Sequence, residues 1–183
     1  MIIKNKYESI EFIKRNHLNN FGEEVFKSTE IDKIKDYLNN HTEKYYLLKD
    51  KTRTNGKFYL NLTKEEVLKH VPEYKVLGLD VASYNYLDHK VLLGEIVLTK
   101  DMNLILSGSY HKDSHHRDFR EPNVFLRTNL FDRKVKYVKG LDIVIDYIFK
   151  HYLFDMIIEF CVYDIPVGLN KEKIVIFEVR TEY

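Results

Sequence analysis

The segment GLDIVIDYIFKHYLF (140–154), with MIIEFCVY (156–163) and KIVIFEVR (173–180) after it, constrains the fold more than any other part of the chain. Leu141, Val144, Ile145, Ile148 and Tyr152 recur at helical spacing, opposite a narrow polar stripe of Asp142, Asp146 and Lys150. That pattern predicts a helix packed deeply on a sheet, with an Asp146–Lys150 pair on its outer side. The two runs that follow are apolar on both faces, as strands covered on both sides are, and are expected in the middle of the sheet. The turn DIPVGLNKE joins them into a hairpin centred near Gly168.

The rest of the chain supplies further strands and helices at short spacing. KYYLLKD and KFYLNL flank the turn-prone TRTNG, which predicts a hairpin. Thr63 with Glu66 three residues on forms a capping box that opens a helix KEEVLKHV, stopped by Pro72. YKVLGLDVAS, KVLLGEIVLT and NLILSGSY are separated by polar turns too short for parallel crossovers, so the pairing is expected to be antiparallel. Ile10, Phe12, Ile13 and Leu18 mark a first amphipathic helix, and Ile31, Ile34, Tyr37 and Leu38 a second over Thr29–Asn40. The expected fold is α+β: a mainly antiparallel sheet of six to seven strands with three to four helices, in a single domain. Residues 1–42 form its N-terminal helical portion, and 43–183 its sheet core with a helix over 140–153.

Charge and cysteine content narrow the function classes. The 29 Lys+Arg against 28 Asp+Glu leave a formal charge of +1, which excludes a polycation of the histone type, so nucleic-acid contact must rest on local clusters. One cysteine, Cys161, excludes an internal disulfide, fits a reducing compartment, and reads as a small buried hydrophobe in MIIEFCVYD. No apolar run reaches the roughly 18 residues of a membrane span, so no membrane contact is expected.

Three constellations are candidates for chemistry. The first is SGSYHKDSHHRDFREP (107–122), in which His111 and His115 have the spacing that on a helix aims two imidazoles at one metal. General acid–base catalysis by His115 or His116, with Arg117 or Arg120 steadying a phosphate, is a second reading of it. A solvated loop in which His111, Lys112, His115, His116, Arg117 and Arg120 touch a partner or an RNA backbone is the third. No metal or other cofactor is expected.

The second constellation is LKDKTRTNGK, where Lys49, Lys51, Arg53 and Lys57 stand against Asp50 alone, with Tyr45, Tyr46 and Tyr59 interleaved. Strand alternation puts Lys49, Lys51 and Arg53 on one face, a basic ridge fit for phosphates, or else a solvated hairpin. The third is Glu159 and Glu178, which fall close together if the closing strands pair about Gly168, with Arg180 two residues beyond. Such carboxylates hold a divalent metal, share a proton, or belong to an ion-pair network with Arg180. Glycine-rich phosphate loops, the G-x-S-x-G elbow and Cys/His arrays are absent from the sequence.

Laid end to end, LLKDKTRTNGKFYLNLTKEEVL, GLDVASYNY, LLGEIVLTKDMNLILSGS and the closing segment from Gly140 to Arg180 resemble small proteins of phages and mobile elements, in particular anti-CRISPR inhibitors of Cas9. The resemblance implies a non-enzymatic inhibitor in the cytoplasm of an infected bacterium. Its partner would be Cas9, its guide RNA, or both, and a homodimer is possible. The balanced charge argues against a DNA mimic and for a mixed basic and aromatic surface. A ribonuclease acting on guide RNA and a phage structural protein are the alternatives.

Overall fold

The computed structural model describes residues 2–52, 56–110 and 122–181. Its helices are α1 (Lys6–Arg15), α2 (Ile31–Asn40), α3 (Lys64–His70) and α4 (Leu141–His151). Its strands are β1 (Glu24–Lys27), β2 (Tyr46–Asp50), β3 (Phe58–Leu62), β4 (Val76–Val81), β5 (Lys90–Leu98), β6 (Asn103–Ser109), β7 (Val124–Asn129), β8 (Ile157–Val167) and β9 (Glu172–Arg180). The α+β class is the one the sequence predicts, with the strands divided between two antiparallel sheets, β1-β4-β2-β3 and β7-β6-β5-β8-β9. The chain forms two compact units, Met1–Asn20 with Leu87–Tyr183, and Phe21–Tyr86. The boundary expected at residue 42 lies inside the second of these, because α2 belongs with the four-stranded sheet.

In the unit Phe21–Tyr86, alternation along β2 sorts the side chains by face. Tyr46 and Leu48 are buried, while Leu47 and Lys49 lie on the opposite, half-open side. Leu77 and Leu79 of β4, Ile34 and Leu38 of α2 and Val67 of α3 are also fully buried, and Phe26 meets Tyr37 edge to face at 5.9 Å. The expected capping box is present: the Thr63 hydroxyl accepts from the Glu66 N–H, and the Glu66 carboxylate accepts from the Thr63 N–H at 2.8 Å. The expected hairpin is present as well, with β2 and β3 antiparallel and Lys49 opposite Phe58.

In the other unit, one face of the five-stranded sheet carries Leu92, Ile96, Leu106, Phe160, Val162 and Ile176 into a core closed by Phe12 and Ile13 of α1 and Leu141, Val144 and Ile148 of α4. Each such aliphatic or aromatic side chain contributes roughly 1.5–3 kcal/mol when withdrawn from water. The helix after Gly140 is as predicted, except at its end. Tyr152 takes a left-handed conformation as the C-cap, φ 54°, and is 82% exposed rather than part of the apolar stripe. Lys150 bonds Glu172 of β9 at 2.5 Å instead of pairing with Asp146. Of the two closing strands, β8 is interior, but β9 is an edge strand.

Asn19, fully buried, fastens the β8–β9 hairpin. Its side-chain amide donates to the carbonyls of Val167 (2.9 Å) and Ile174 (2.6 Å), and its oxygen accepts from the Asn170 N–H at 2.8 Å. Its own N–H donates to the Tyr147 hydroxyl at 2.7 Å, and its carbonyl accepts from the Ile176 N–H at 2.8 Å. Gly168 turns the hairpin at φ 76° directly against the Asn19 amide, so a side chain there meets both strain and collision. Among the described residues no helix is long and apolar enough to cross a membrane.

Candidate functional site

A row of acids crosses three adjacent strands. Glu95 of β5 is the register partner of Glu159 of β8, which is in turn the partner of Glu178 of β9. Directly opposed residues in antiparallel strands share a face, with Cβ atoms roughly 5 Å apart. This face is turned away from the apolar core, since Ile158 and Phe160, the neighbours of Glu159, both belong to the core. The row continues through Ser107 of β6 to Phe125 of β7.

Glu178 reaches this face through an irregularity. The register runs Glu159–Glu178, then Phe160–Ile176, so Phe177 is an extra residue in β9. Strict alternation from the buried Ile174 and Ile176 sends Glu178 into the core. The bulge at Phe177 resets the phase, placing Glu178 and Arg180 on the charged face and Val179 inside. Arg180 then contacts the Glu95 carboxylate, and its Nε lies 3.3 Å from Glu178, whose side chain is only 12% exposed. Cys161 sits on the same face, opposite Leu93 and Val175, and burial pushes its thiol up to about 12, which makes it an inert packing residue as expected.

The sequence brings Glu159 and Glu178 together correctly and misses Glu95. The signal was the same: a lone acid interrupting an apolar strand, here KVLLGEIVLT. Among the described residues no three His, Cys, Asp or Glu side chains converge as metal ligands.

The basic ridge is organised otherwise than expected. Lys49 and Lys51 do share one side of the sheet, but Glu23 stands between them, in contact with Lys51 and 3.9 Å from Lys49. The Lys51 and Glu23 side chains lie across Gly78, where any Cβ would collide with both. Asp80, also buried, accepts from the Val81 N–H at 2.9 Å. Burial pushes its carboxyl up to about 7, with Glu23 adding to the rise and Lys49 and Lys51 opposing it. Lys57 is held by Glu73, which also accepts from the Tyr59 hydroxyl at 2.9 Å. Lys57 and His70 pull the Glu73 carboxyl down to about 2. Tyr46 is a core residue rather than part of a surface, and Tyr59 stacks on His70 at 3.9 Å. The ridge is thus largely answered by the protein's own carboxylates. Arg53, and the loop residues His111, Lys112, His115, His116, Arg117 and Arg120, lie outside the described residues.

No protein-family model and no curated protein matches the sequence. Solved structures do match in fold. The macrocyclase MdnC of Microcystis aeruginosa, solved with its precursor peptide MdnA, aligns at TM-score 0.52 and 11% identity over 98% of this chain and 53% of its own. D-alanyl-alanine synthetase A of Vibrio cholerae aligns at 0.51 and 14%, over 97% of this chain and 54% of its own. The N5-carboxyaminoimidazole synthase of Aspergillus clavatus, in complex with ADP and 5-aminoimidazole ribonucleotide, aligns at 0.50 and 14%, over 100% and 45%. The chain therefore spans about half the length of these enzymes, and what it shares with them at such identity is the fold.

This likeness corrects the expectation drawn from the phage-protein resemblance. The fold is that of synthetase and cyclase enzymes, which overturns the reading as a non-enzymatic Cas9 inhibitor, the ribonuclease alternative and the RNA-binding surface that went with them.

Proposed function

We propose that this chain is a nucleotide-dependent ligase unit of the ATP-grasp type, one that activates a carboxylate with ATP for attack by a nucleophile. The observation that carries the reading is the register of Glu95, Glu159 and Glu178 on one sheet face, brought about by the bulge at Phe177. The shared fold with synthetases and a cyclase supports it.

Ligation of this kind implies Mg²⁺ bound with the nucleotide, and the donor set fits that ion. Mg²⁺ takes one or two carboxylates together with phosphate oxygens and water, so a dedicated cage of three protein ligands is not required. Glu159 and Glu178 would supply those carboxylates, and an ion held there would neutralise phosphate charge. Arg180 fixes the Glu178 carboxylate through its Nε contact and ties it to Glu95, a positioning role.

Isothermal titration of the full chain with ATP, with and without Mg²⁺, tests the reading. Magnesium-dependent binding is expected, weakened at least about tenfold in Glu159→Gln and Glu178→Gln. Absence of nucleotide binding, or equal binding by both variants, overturns it.

A further inference from the structure

One surface takes no part in the nucleotide reading. Among the described residues, strand β7 is the outermost strand of its sheet and is hydrogen-bonded only to β6. Such an edge presents unpaired backbone N–H and C=O groups, which an extended polypeptide can complete as an added strand. Directly after it runs Phe131–Lys139, which contains the 3-10 turn Arg133–Tyr137.

This segment is rigidly mounted. Val135 is buried in the core, and the Asp132 carboxylate accepts from the Lys134 N–H at 2.9 Å and the Thr128 hydroxyl at 2.7 Å. Asp132, the only acid in the segment, is thereby spent on holding the turn.

The mounting displays exposed cations: Arg133, Lys134, Lys136 and Lys139, with Arg127 on the strand itself. None of the five takes part in an ion pair among the described residues. Between them stand two aromatic side chains with almost no cover, Phe131 at 82% and Tyr137 at 83% exposure. A chain of net charge +1 that concentrates cations here, around bare aromatics and beside an open strand edge, has a surface complementary to an extended, negatively charged polymer with apolar side chains.

The open edge decides between polymers. Backbone pairing is available to a polypeptide and not to a nucleic acid. We propose that β7 and the turn after it dock an acidic polypeptide, which adds to β7 as a strand and places its carboxylates on Arg127, Arg133, Lys134, Lys136 and Lys139. Phe125 and Arg127 lie on the same sheet face as the row of acids, and Phe125 is in that row. Three strand spacings, roughly 14 Å, separate β7 from Glu159 in β8. The inference rests on the ligase reading for its consequence: the docked polypeptide is the carboxylate-bearing substrate.

Docking is measured without nucleotide, so its failure is distinct from failure of the ligase reading. The probe is a fluorescein-labelled peptide of glutamate alternating with valine and threonine, followed by fluorescence anisotropy on the full chain. Expected are salt-sensitive binding and a loss of at least about tenfold when glutamine replaces glutamate in the peptide. A comparable loss is expected in Arg133→Glu/Lys134→Glu/Lys136→Glu and in Phe131→Ala/Tyr137→Ala, both with unchanged circular dichroism. Amide exchange is expected to slow at Val124–Asn129 when peptide is added. No binding up to millimolar peptide overturns the proposal, as does binding indifferent to these substitutions. Binding of oligothymidylate in preference to the peptide overturns it in favour of a nucleic-acid surface. Peptide docking without any nucleotide binding leaves this surface standing and removes only its use in ligation.

Discussion

Two charged clusters lie on sheet faces opposite an apolar core, and they are built to different balances. On β5, β8 and β9, among the described residues, three carboxylates, Glu95, Glu159 and Glu178, share a register position beside the guanidinium of Arg180. On the four-stranded sheet there are two acids, Glu23 and Asp80, to two lysines, Lys49 and Lys51. The even quartet answers itself and keeps Asp80 only at the cost of a raised pKa. The row instead sets three carboxylates at one register position across three adjacent strands. Charge density alone therefore does not single out a site. Register across strands does.

The largest effect expected is on the device that makes the row. Deleting Phe177 turns Glu178 toward the core and Val179 away from it, and an unpaired buried carboxylate costs several kcal/mol, so the protein is expected not to fold, as read by circular dichroism. Next is Asn19→Ala, which strands two buried carbonyls and the Asn170 N–H. A loss of about 2–4 kcal/mol is expected in urea denaturation.

Arg180→Ala sharpens the comparison. It leaves the carboxylates facing one another, and a destabilisation of about 1–2 kcal/mol is expected, Arg180 and Glu95 being about a third exposed. Millimolar Mg²⁺ should recover part of that loss in a thermal melt, whereas a variant of the quartet, Lys51→Ala, should show no such recovery.

Asp80 separates the clusters by pH. Its folded pKa is raised above the unfolded value, so the native state holds more protons between that value and about 7, and stability falls as pH rises through this window. Asp80→Asn should flatten the decline, by roughly 2–3 kcal/mol between pH 5 and pH 8. Lys57→Ala, at an exposed pair, should leave the melting temperature where it is.

Local signals in the sequence were readable because their causes are local. Thr63 and Glu66 lie within one helical turn, and the β2–β3 and β8–β9 pairings follow from the turns that join them. Two sheets could not be read from it, since β1–β4 and β5–β8 pair residues far apart in the chain. Strands β1 and β7 were passed over: each is short and half exposed, with weak alternation. The opposition of Glu159 and Glu178 was legible from the hairpin, but not that a bulge brings Glu178 to that face, because KIVIFEVR shows no break in its pattern. The basic ridge misled because Glu23, which answers it, is contributed by a segment remote from LKDK.

The clamp at Asn19 also orders events during synthesis. One unit is continuous, Phe21–Tyr86, and holds all its strands as soon as it leaves the ribosome. The other is assembled from both sides of it, and the carbonyls that Asn19 grips are translated 148 and 155 residues after it. The early helix α1 must wait, apolar side exposed, for β9 to arrive, so a pause or truncation before Arg180 exposes a sticky fragment beside a finished one.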